Sequence, residues 1–361
     1  MRKEDQSYPI IIENGILNRI PQDLKERNLG ERFAIITDTN VSARYGGALE
    51  YWIENAGFMV GRYVFSEGEQ QKRLRICEDL VGGMSSDGFG RDTTVIALGG
   101  GVVGDMAGFI AASFNRGVPL VQIPTTLIAQ ADSSIGGKTG VDTEYGKNLF
   151  GAFKQPNIVY IDPLTLRTLA PIDYFSGLAE TVKHGVIQDS NFFGYLEQNT
   201  AKILRMGDDA LLNLAETNCR IKGNVVEADP NEKGIRRILN LGHTIGHAVE
   251  TLSDYNLPHG HCVAIGMLSA LRIAKETTGF PQEDLERVER LLKEFNLPTK
   301  IPSEITNDGI LKLTTLDKKA AKGQARYCLP VKIGEMADFG GQYVTYVDEP
   351  LVRQALDESR Q

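Results

Sequence analysis

The chain has 361 residues, of which 42% are hydrophobic and 24% charged, and carries a formal net charge of −8. That composition excludes a disordered or collagen-like chain, and the negative balance argues against a nucleic-acid partner, which requires a basic face. The opening Met-Arg-Lys-Glu-Asp-Gln is charged and no apolar run reaches the ~18 residues of a membrane span, so neither signal peptide nor membrane helix is expected and the protein reads as cytoplasmic.

From Tyr8 to about Asp162, short apolar runs at residues 8–12, 33–37, 60–65, 94–98, 120–123 and 158–161 read as strands. They alternate with helical stretches such as 41–55 and 71–86, and such alternation implies crossover connections and a mostly parallel, doubly wound α/β sheet. Beyond Pro163 the strand signal fades, and helical periods dominate at 173–187, 208–226, 241–252, 263–278 and 281–295. Two short β-like runs, 326–329 and 343–347, precede a helix from Pro350 onward. The length suits two domains, and we place the boundary within residues 164–171. The expectation is a Rossmann-like α/β domain over residues 1–168 and a mostly α-helical domain over 169–361. Cys77, Cys219, Cys262 and Cys328 lie far apart without a CxxC, as suits reduced thiols.

The strand at 94–98 runs straight into Gly99-Gly100-Gly101-Val102-Val103-Gly104-Asp105, a GxGxxG at a strand-to-helix turn, where backbone N–H groups can approach a pyrophosphate. The acid that usually ends the next strand is missing, and the loop follows the fourth strand, so Asp38 is the better partner for an adenosine ribose. Further on, Gly136-Gly137-Lys138-Thr139 imitates a P-loop, but Asp132 stands where its first glycine belongs. The stretch from Asp132 to Asn148 reads instead as a long polar loop whose Lys138, Lys147 and Asn148 can hold a phosphate.

Four of the five histidines lie between Asn240 and His261. On a helix His243 and His247, four apart, face the same way, and His259 and His261 follow after a loop that can fold back. In Glu180-Thr-Val-Lys183 a carboxylate sits one helical turn from a lysine, either as a surface ion pair or as a third ligand. Two imidazoles, a carboxylate and an open position make a catalytic zinc site.

With Gly-Gly-Gly-Val-Val-Gly-Asp105, Pro-Thr125-Thr126, Asp132-Ser-Ser-Ile-Gly-Gly-Lys138-Thr, Gly-Lys147-Asn148, Gly-Leu-Ala-Glu180-Thr-Val-Lys183 and Asn240-Leu-Gly-His243 in order, the chain resembles the 3-dehydroquinate synthases over essentially its whole length. That resemblance implies a homodimer with an NAD-binding α/β domain and a helical domain binding Zn2+ or Co2+. It also implies conversion of 3-deoxy-D-arabino-heptulosonate 7-phosphate to 3-dehydroquinate in the shikimate pathway. Carried over residue by residue, it makes Glu180, His243 and His259 the metal ligands and moves His247 to the substrate. Cofactor contacts would come from Asp38, Asn40, Glu69, Lys72, Gly100, Gly101, Val102, Asp105, Thr125 and Thr126. Substrate contacts would come from Asp132, Lys138, Lys147, Asn148, Lys183, Lys222, Arg236, Asn240, His247 and Lys319, with Arg116 reaching across the dimer. Lys138, Lys183, Asn148, Arg236, Asn240 and His247 would be the catalytic set. One departure stands out: the family usually has Glu where this chain has His261. The rivals are another sugar phosphate cyclase, a metal-dependent alcohol dehydrogenase of glycerol-dehydrogenase type, and a zinc-stabilised scaffold without catalysis.

Overall fold

The computed structural model describes residues 7–316 and 325–360. By its internal contacts the chain divides into two units, Met1–Thr168 with Leu211–Glu216, and Leu169–Ala210 with Thr217–Gln361.

The first unit is built on six parallel strands, β1 (Ile10–Ile12), β2 (Arg32–Asp38), β3 (Met59–Phe65), β4 (Thr93–Gly99), β5 (Leu120–Pro124) and, after a hairpin, β8 (Ile158–Ile161), in the order β1-β8-β5-β4-β2-β3. Each apolar run anticipated as a strand is one. Because successive side chains leave a strand on opposite faces, Phe33 and Ile35 join one core layer while Ala34 and Ile36 join the other. On β4, Ile96 and Leu98 divide from Val95 and Ala97 in the same way, and the strand is buried along its full length, as a two-sided parallel sheet requires. Helices α1 (Ile20–Glu26) and α2 (Gly47–Asn55) cover the first layer through Ile20, Leu24, Leu49 and Ile53. The second is covered by α3 (Leu74–Ser86) and α4 (Gly101–Ser113) through Cys77, Leu80, Met84, Val103 and Met106. From β2 the chain passes outward to β3, whereas β4, on the other side of β2, passes to β5 in the opposite direction. The winding therefore reverses between β2 and β4, and the crevice at the carboxyl ends of such strands is where open α/β sheets take ligands.

The long loop expected from Asp132 to Asn148 is a correction. It contains an antiparallel hairpin, β6 (Lys138–Thr143) with β7 (Gly146–Phe153), in which Gly140 pairs with Gly151. A Cβ on Gly140 would stand 2.8 Å from the Phe150 carbonyl oxygen, so close backbone approach demands the glycines that dilute the strand signal.

The second unit is mostly helical: α5 (Pro171–Gln188), α6 (Ser190–Leu204), most of α7 (Asp208–Ala228), α8 (His243–Leu252), α9 (His259–Thr277), α10 (Gln282–Glu294), α11 (Asn307–Leu316) and α12 (Glu349–Glu358). The periodicity did not announce α6 and α11; α6 is interrupted at Asn199, whose backbone leaves helical geometry. Short strands β9 (Arg326–Tyr327) and β12 (Thr345–Tyr346) pair antiparallel, as do β10 (Pro330–Lys332) and β11 (Glu335–Met336). Helix α5 starts on Pro171, whose missing N–H costs nothing in a first turn, and is buried from Ser176 to Ile187. Helix α9 begins at His259, four residues ahead of the anticipated start, so His259 and His261 lie on a helix rather than a loop. Its first turn docks on α5: the Gly260 N–H donates to Ser176 Oγ at 2.9 Å, and a Cβ on Gly260 would come within 1.8 Å of the Ser176 carbonyl oxygen. Helix α8 is pressed against α9 by the same device, since a Cβ on Gly246 would lie 2.8 Å from Cys262 O and one on Gly266 2.1 Å from Gly242 O.

Candidate metal centre and its surroundings

Glu180 stands on the buried middle of α5, one helical turn beyond Ser176, where α9 docks. Its carboxylate is 1% exposed, so it cannot be the surface partner that the i,i+3 spacing to Lys183 also allowed; that lysine is equally buried and pairs with Oε2. Oε1 has no hydrogen-bond partner. It lies 3.5 Å from Nε2 of His243, the first residue of α8, and 3.5 Å from Nε2 of His259, the first residue of α9. Ligand atoms of the three residues all lie within 4.8 Å of one another. Tetrahedral ligands at about 2.0–2.2 Å from a zinc are separated by roughly 3.4 Å, so this spacing and this donor set fit a divalent metal.

The electrostatics agree. Burial by itself would raise the Glu180 carboxyl, but the Lys183 ammonium and the two imidazoles hold it well below the usual carboxylate range. Burial, helped by Lys183, pushes His243 well below the ordinary imidazole value, which leaves it neutral with a lone pair to donate. Burial would also lower His259, but the Glu180 and Glu250 carboxylates raise it to about 9.

His247 is exposed, with its ring centroid 5.2 Å from that of His243 and 5.8 Å from that of His259. The helical spacing that paired it with His243 holds, yet Glu180 gathers His243 with His259. His261 is not drawn into that cluster; its buried Nε2 has no hydrogen-bond partner, and burial lowers its pKa. Lys222 on α7 and Arg236 are both buried, and the Arg236 guanidinium donates to the Pro230 carbonyl oxygen at 2.8 Å. Asn240 closes the same turn, Ile235–Asn240, donating to Glu232 Oε1 at 2.7 Å. Lys319 lies outside the described residues. Sequence reading missed Glu250, whose buried carboxylate approaches His259 Nδ1 to 3.6 Å; the available signal was a glutamate two helical turns after His243 in an apolar stretch. It also missed Asn218, which joins His184 Nδ1 at 2.8 Å and Thr181 at 3.0 Å behind Glu180's helix.

In the first unit, Asp38 ends β2 beside the end of β4, and its Oδ1 accepts from the Val41 N–H at 2.9 Å. Gly100 caps α4, where a Cβ would meet Thr126 Cγ2 at 2.9 Å, and a Cβ on Gly101 would meet Ser133 Oγ at 3.2 Å. Val102, in the first turn of α4, is partly buried and packs against one core layer. The Thr125 N–H donates to Gly99 O at 2.9 Å, which ties the end of β5 to the glycine turn. Lys72, buried, donates to Asp105 at 2.6 Å, and Lys147 pairs with Glu69 at 3.0 Å. Asn40, Arg116, Lys138 and Asn148 are exposed and Asp132 is half-buried; Arg116 and Asn148 have left-handed backbones, with φ of 73° and 52°.

Residues 62–176 match the family described as 3-dehydroquinate synthase N-terminal, and residues 177–320 match 3-dehydroquinate synthase C-terminal. A 3-dehydroquinate synthase of Desulforamulus reducens is 45% identical over 336 residues, covering 93% of this chain and 94% of its own. The chain belongs to the 3-dehydroquinate synthase family. Among solved structures, a 2-deoxy-scyllo-inosose synthase complexed with carbaglucose-6-phosphate, NAD+ and Co2+ superposes with a TM-score of 0.89 at 25% identity, covering 97% of this chain and 96% of that one. A 2-epi-5-epi-valiolone synthase from Streptomyces hygroscopicus with NAD+ and Zn2+ bound gives 0.89 at 26%, covering 99% and 98%. As in the 3-dehydroquinate synthase pattern, this chain carries a parallel-sheet unit and a mostly helical one. Among its described residues no helix is long and apolar enough to cross a membrane.

Proposed function

We propose that this protein is the 3-dehydroquinate synthase of a shikimate pathway. It would convert 3-deoxy-D-arabino-heptulosonate 7-phosphate to 3-dehydroquinate and phosphate by transient oxidation, phosphate β-elimination, re-reduction and aldol closure. The observation that carries the reading is the buried Glu180 Oε1, without a hydrogen bond and 3.5 Å from each of two imidazole Nε2 atoms, in a chain of this family. Glu180, His243 and His259 would hold a divalent metal, zinc or cobalt, and the crevice between β2 and β4 would hold NAD+, with its pyrophosphate at the N-terminus of α4 and its ribose near Asp38. When bound, NAD+ accepts and returns a hydride while the metal polarises the substrate oxygen. Lys183, paired with Glu180, keeps that carboxylate ionised. Lys138, Lys147 and the partner subunit's Arg116 would neutralise the leaving phosphate and Asn148 and Asn240 would donate amide hydrogen bonds to it, while Lys222 and Arg236 would meet the substrate carboxylate, for which guanidinium offers a bidentate fork. Asp132 and His247 orient the sugar hydroxyls. We place the enzyme in the cytoplasm as a homodimer.

The test is phosphate release from the heptulosonate phosphate with catalytic NAD+ and added Zn2+. Turnover without net NADH is expected. Stoichiometric NADH would mark an alcohol dehydrogenase, and equal turnover of sedoheptulose 7-phosphate would mark another cyclase.

A further inference from the structure

The two proposed histidine ligands turn Nε2 toward Glu180 but anchor their other ring nitrogen differently. His243 Nδ1 lies 3.1 Å from the carbonyl oxygen of Leu241, two residues back in its own chain. His259 Nδ1 lies 3.6 Å from Oε2 of Glu250 on α8, whose side chain is 7% exposed. We propose that Glu250 is a positioning residue: its carboxylate holds the Nδ1–H of His259 and thereby fixes Nε2 as the nitrogen offered to the metal.

A neutral imidazole carries one proton, and the acceptor beside one nitrogen decides where the free lone pair lies. His243 needs only a local carbonyl, because it starts its helix next to that carbonyl and is 13% exposed. His259 is 32% exposed and has no such neighbour, so its ring has more freedom to lose. A small rotation closes 3.6 Å to a charge-assisted hydrogen bond. Glu250 is buried beside Ala248 and Val249 on α8, and the His259 ring is a donor within reach of its carboxylate. The competing use is ligation, because His247, Glu250 and His259 also bring ligand atoms within 4.8 Å. Serving both clusters at once would require His259 to lose its second ring proton.

The proposal rests on the metal-centre reading, so zinc stoichiometry and affinity are measured by chelator competition on the wild type, Glu250→Gln, Glu250→Ala and Glu180→Gln. The wild type should bind one equivalent, lost in Glu180→Gln. Glu250→Gln should still bind one equivalent, about 10–100-fold more weakly, and the metal-free variant should keep the wild-type circular dichroism. Nitrogen-detected NMR of the zinc-bound protein should find His259 ligating through Nε2 with Nδ1 protonated in the wild type, and a mixture of Nε2 and Nδ1 ligation in Glu250→Gln. Should Glu250→Ala fail to fold, the isosteric glutamine variant carries the test. Unchanged affinity in Glu250→Gln, or a wild type that binds two equivalents and loses one in that variant, overturns the proposal while leaving the Glu180 centre standing. A wild type with no equivalent dependent on Glu180 overturns the metal reading and this inference together.

Discussion

Glu180 is defined by what surrounds it rather than by its type. Charged on a buried helix, with one oxygen on Lys183 and the other facing two imidazoles, it gains its pairing only if those groups are present. His243→Ala and His259→Ala should each take metal content from about one equivalent to near zero, because two protein ligands seldom retain zinc. His247→Ala should keep the metal and lose turnover, and His261→Glu should keep both; metal analysis beside kinetics reads all four. Metal retained in His259→Ala and lost in His261→Ala would reverse the assignment. The pH dependence follows from His259, whose pKa without metal is raised to about 9. Its proton must leave when a metal binds, so zinc affinity should rise about tenfold per pH unit up to about pH 9 and then level. Calorimetry in buffers of different ionisation enthalpy should find about one proton released per zinc. The raised value also means that the charged ring stabilises the metal-free fold below the ordinary imidazole pKa near 6.5, and that this contribution is lost as pH rises through about 9. Metal-free protein should therefore melt lower at pH 9.5 than at pH 6.5 where this contribution dominates.

At the scale of elements, the centre depends on three helices meeting without side chains between them. Gly260→Ala would drive a Cβ to 1.8 Å from the Ser176 carbonyl oxygen, which is backbone and cannot step aside. The helices must then part, at a cost of about 1–3 kcal/mol or more by the usual measure of overpacking, and His259 moves away from Glu180. Both a lower melting midpoint and a lower zinc affinity are expected. Ser176→Ala removes only the hydrogen bond to the Gly260 N–H, about 1 kcal/mol, and should leave metal content near one equivalent. Equal effects of the two substitutions on metal affinity would mean that the hydrogen bond, not the close approach, sets the register of α5 and α9.

For the whole molecule, each unit has its own apolar interior, so a chelator should abolish turnover and lower the melting midpoint while leaving helical circular dichroism nearly unchanged. Loss of the helical signal would make the metal structural. How much of this was legible beforehand differs between the units for a physical reason. A parallel strand buried on both faces must be a short continuous apolar run, so the four inner strands β2, β4, β5 and β8 could be read one by one, the partly exposed edge strands β1 and β3 still showed as apolar runs, and the glycine turn after β4 announced itself by strand, turn and helix in succession. The hairpin could not, because its paired glycines and exposed Phe150 and Phe153 erase the alternation. In the helical unit, residue spacing along one helix nominated His243 with His247, while the ordered motifs of the family nominated Glu180, His243 and His259. Local periodicity knows only which residues share a helix face. Which faces meet is decided by contacts between segments remote in sequence: Gly260 on Ser176 and Gly266 on Gly242 bring His259 to His243 and Glu180. The same contacts bury the pair Glu180–Lys183, which sequence leaves as either a surface ion pair or a ligand, and they bring Glu250, one glutamate among many in the chain, to the far side of a histidine ring.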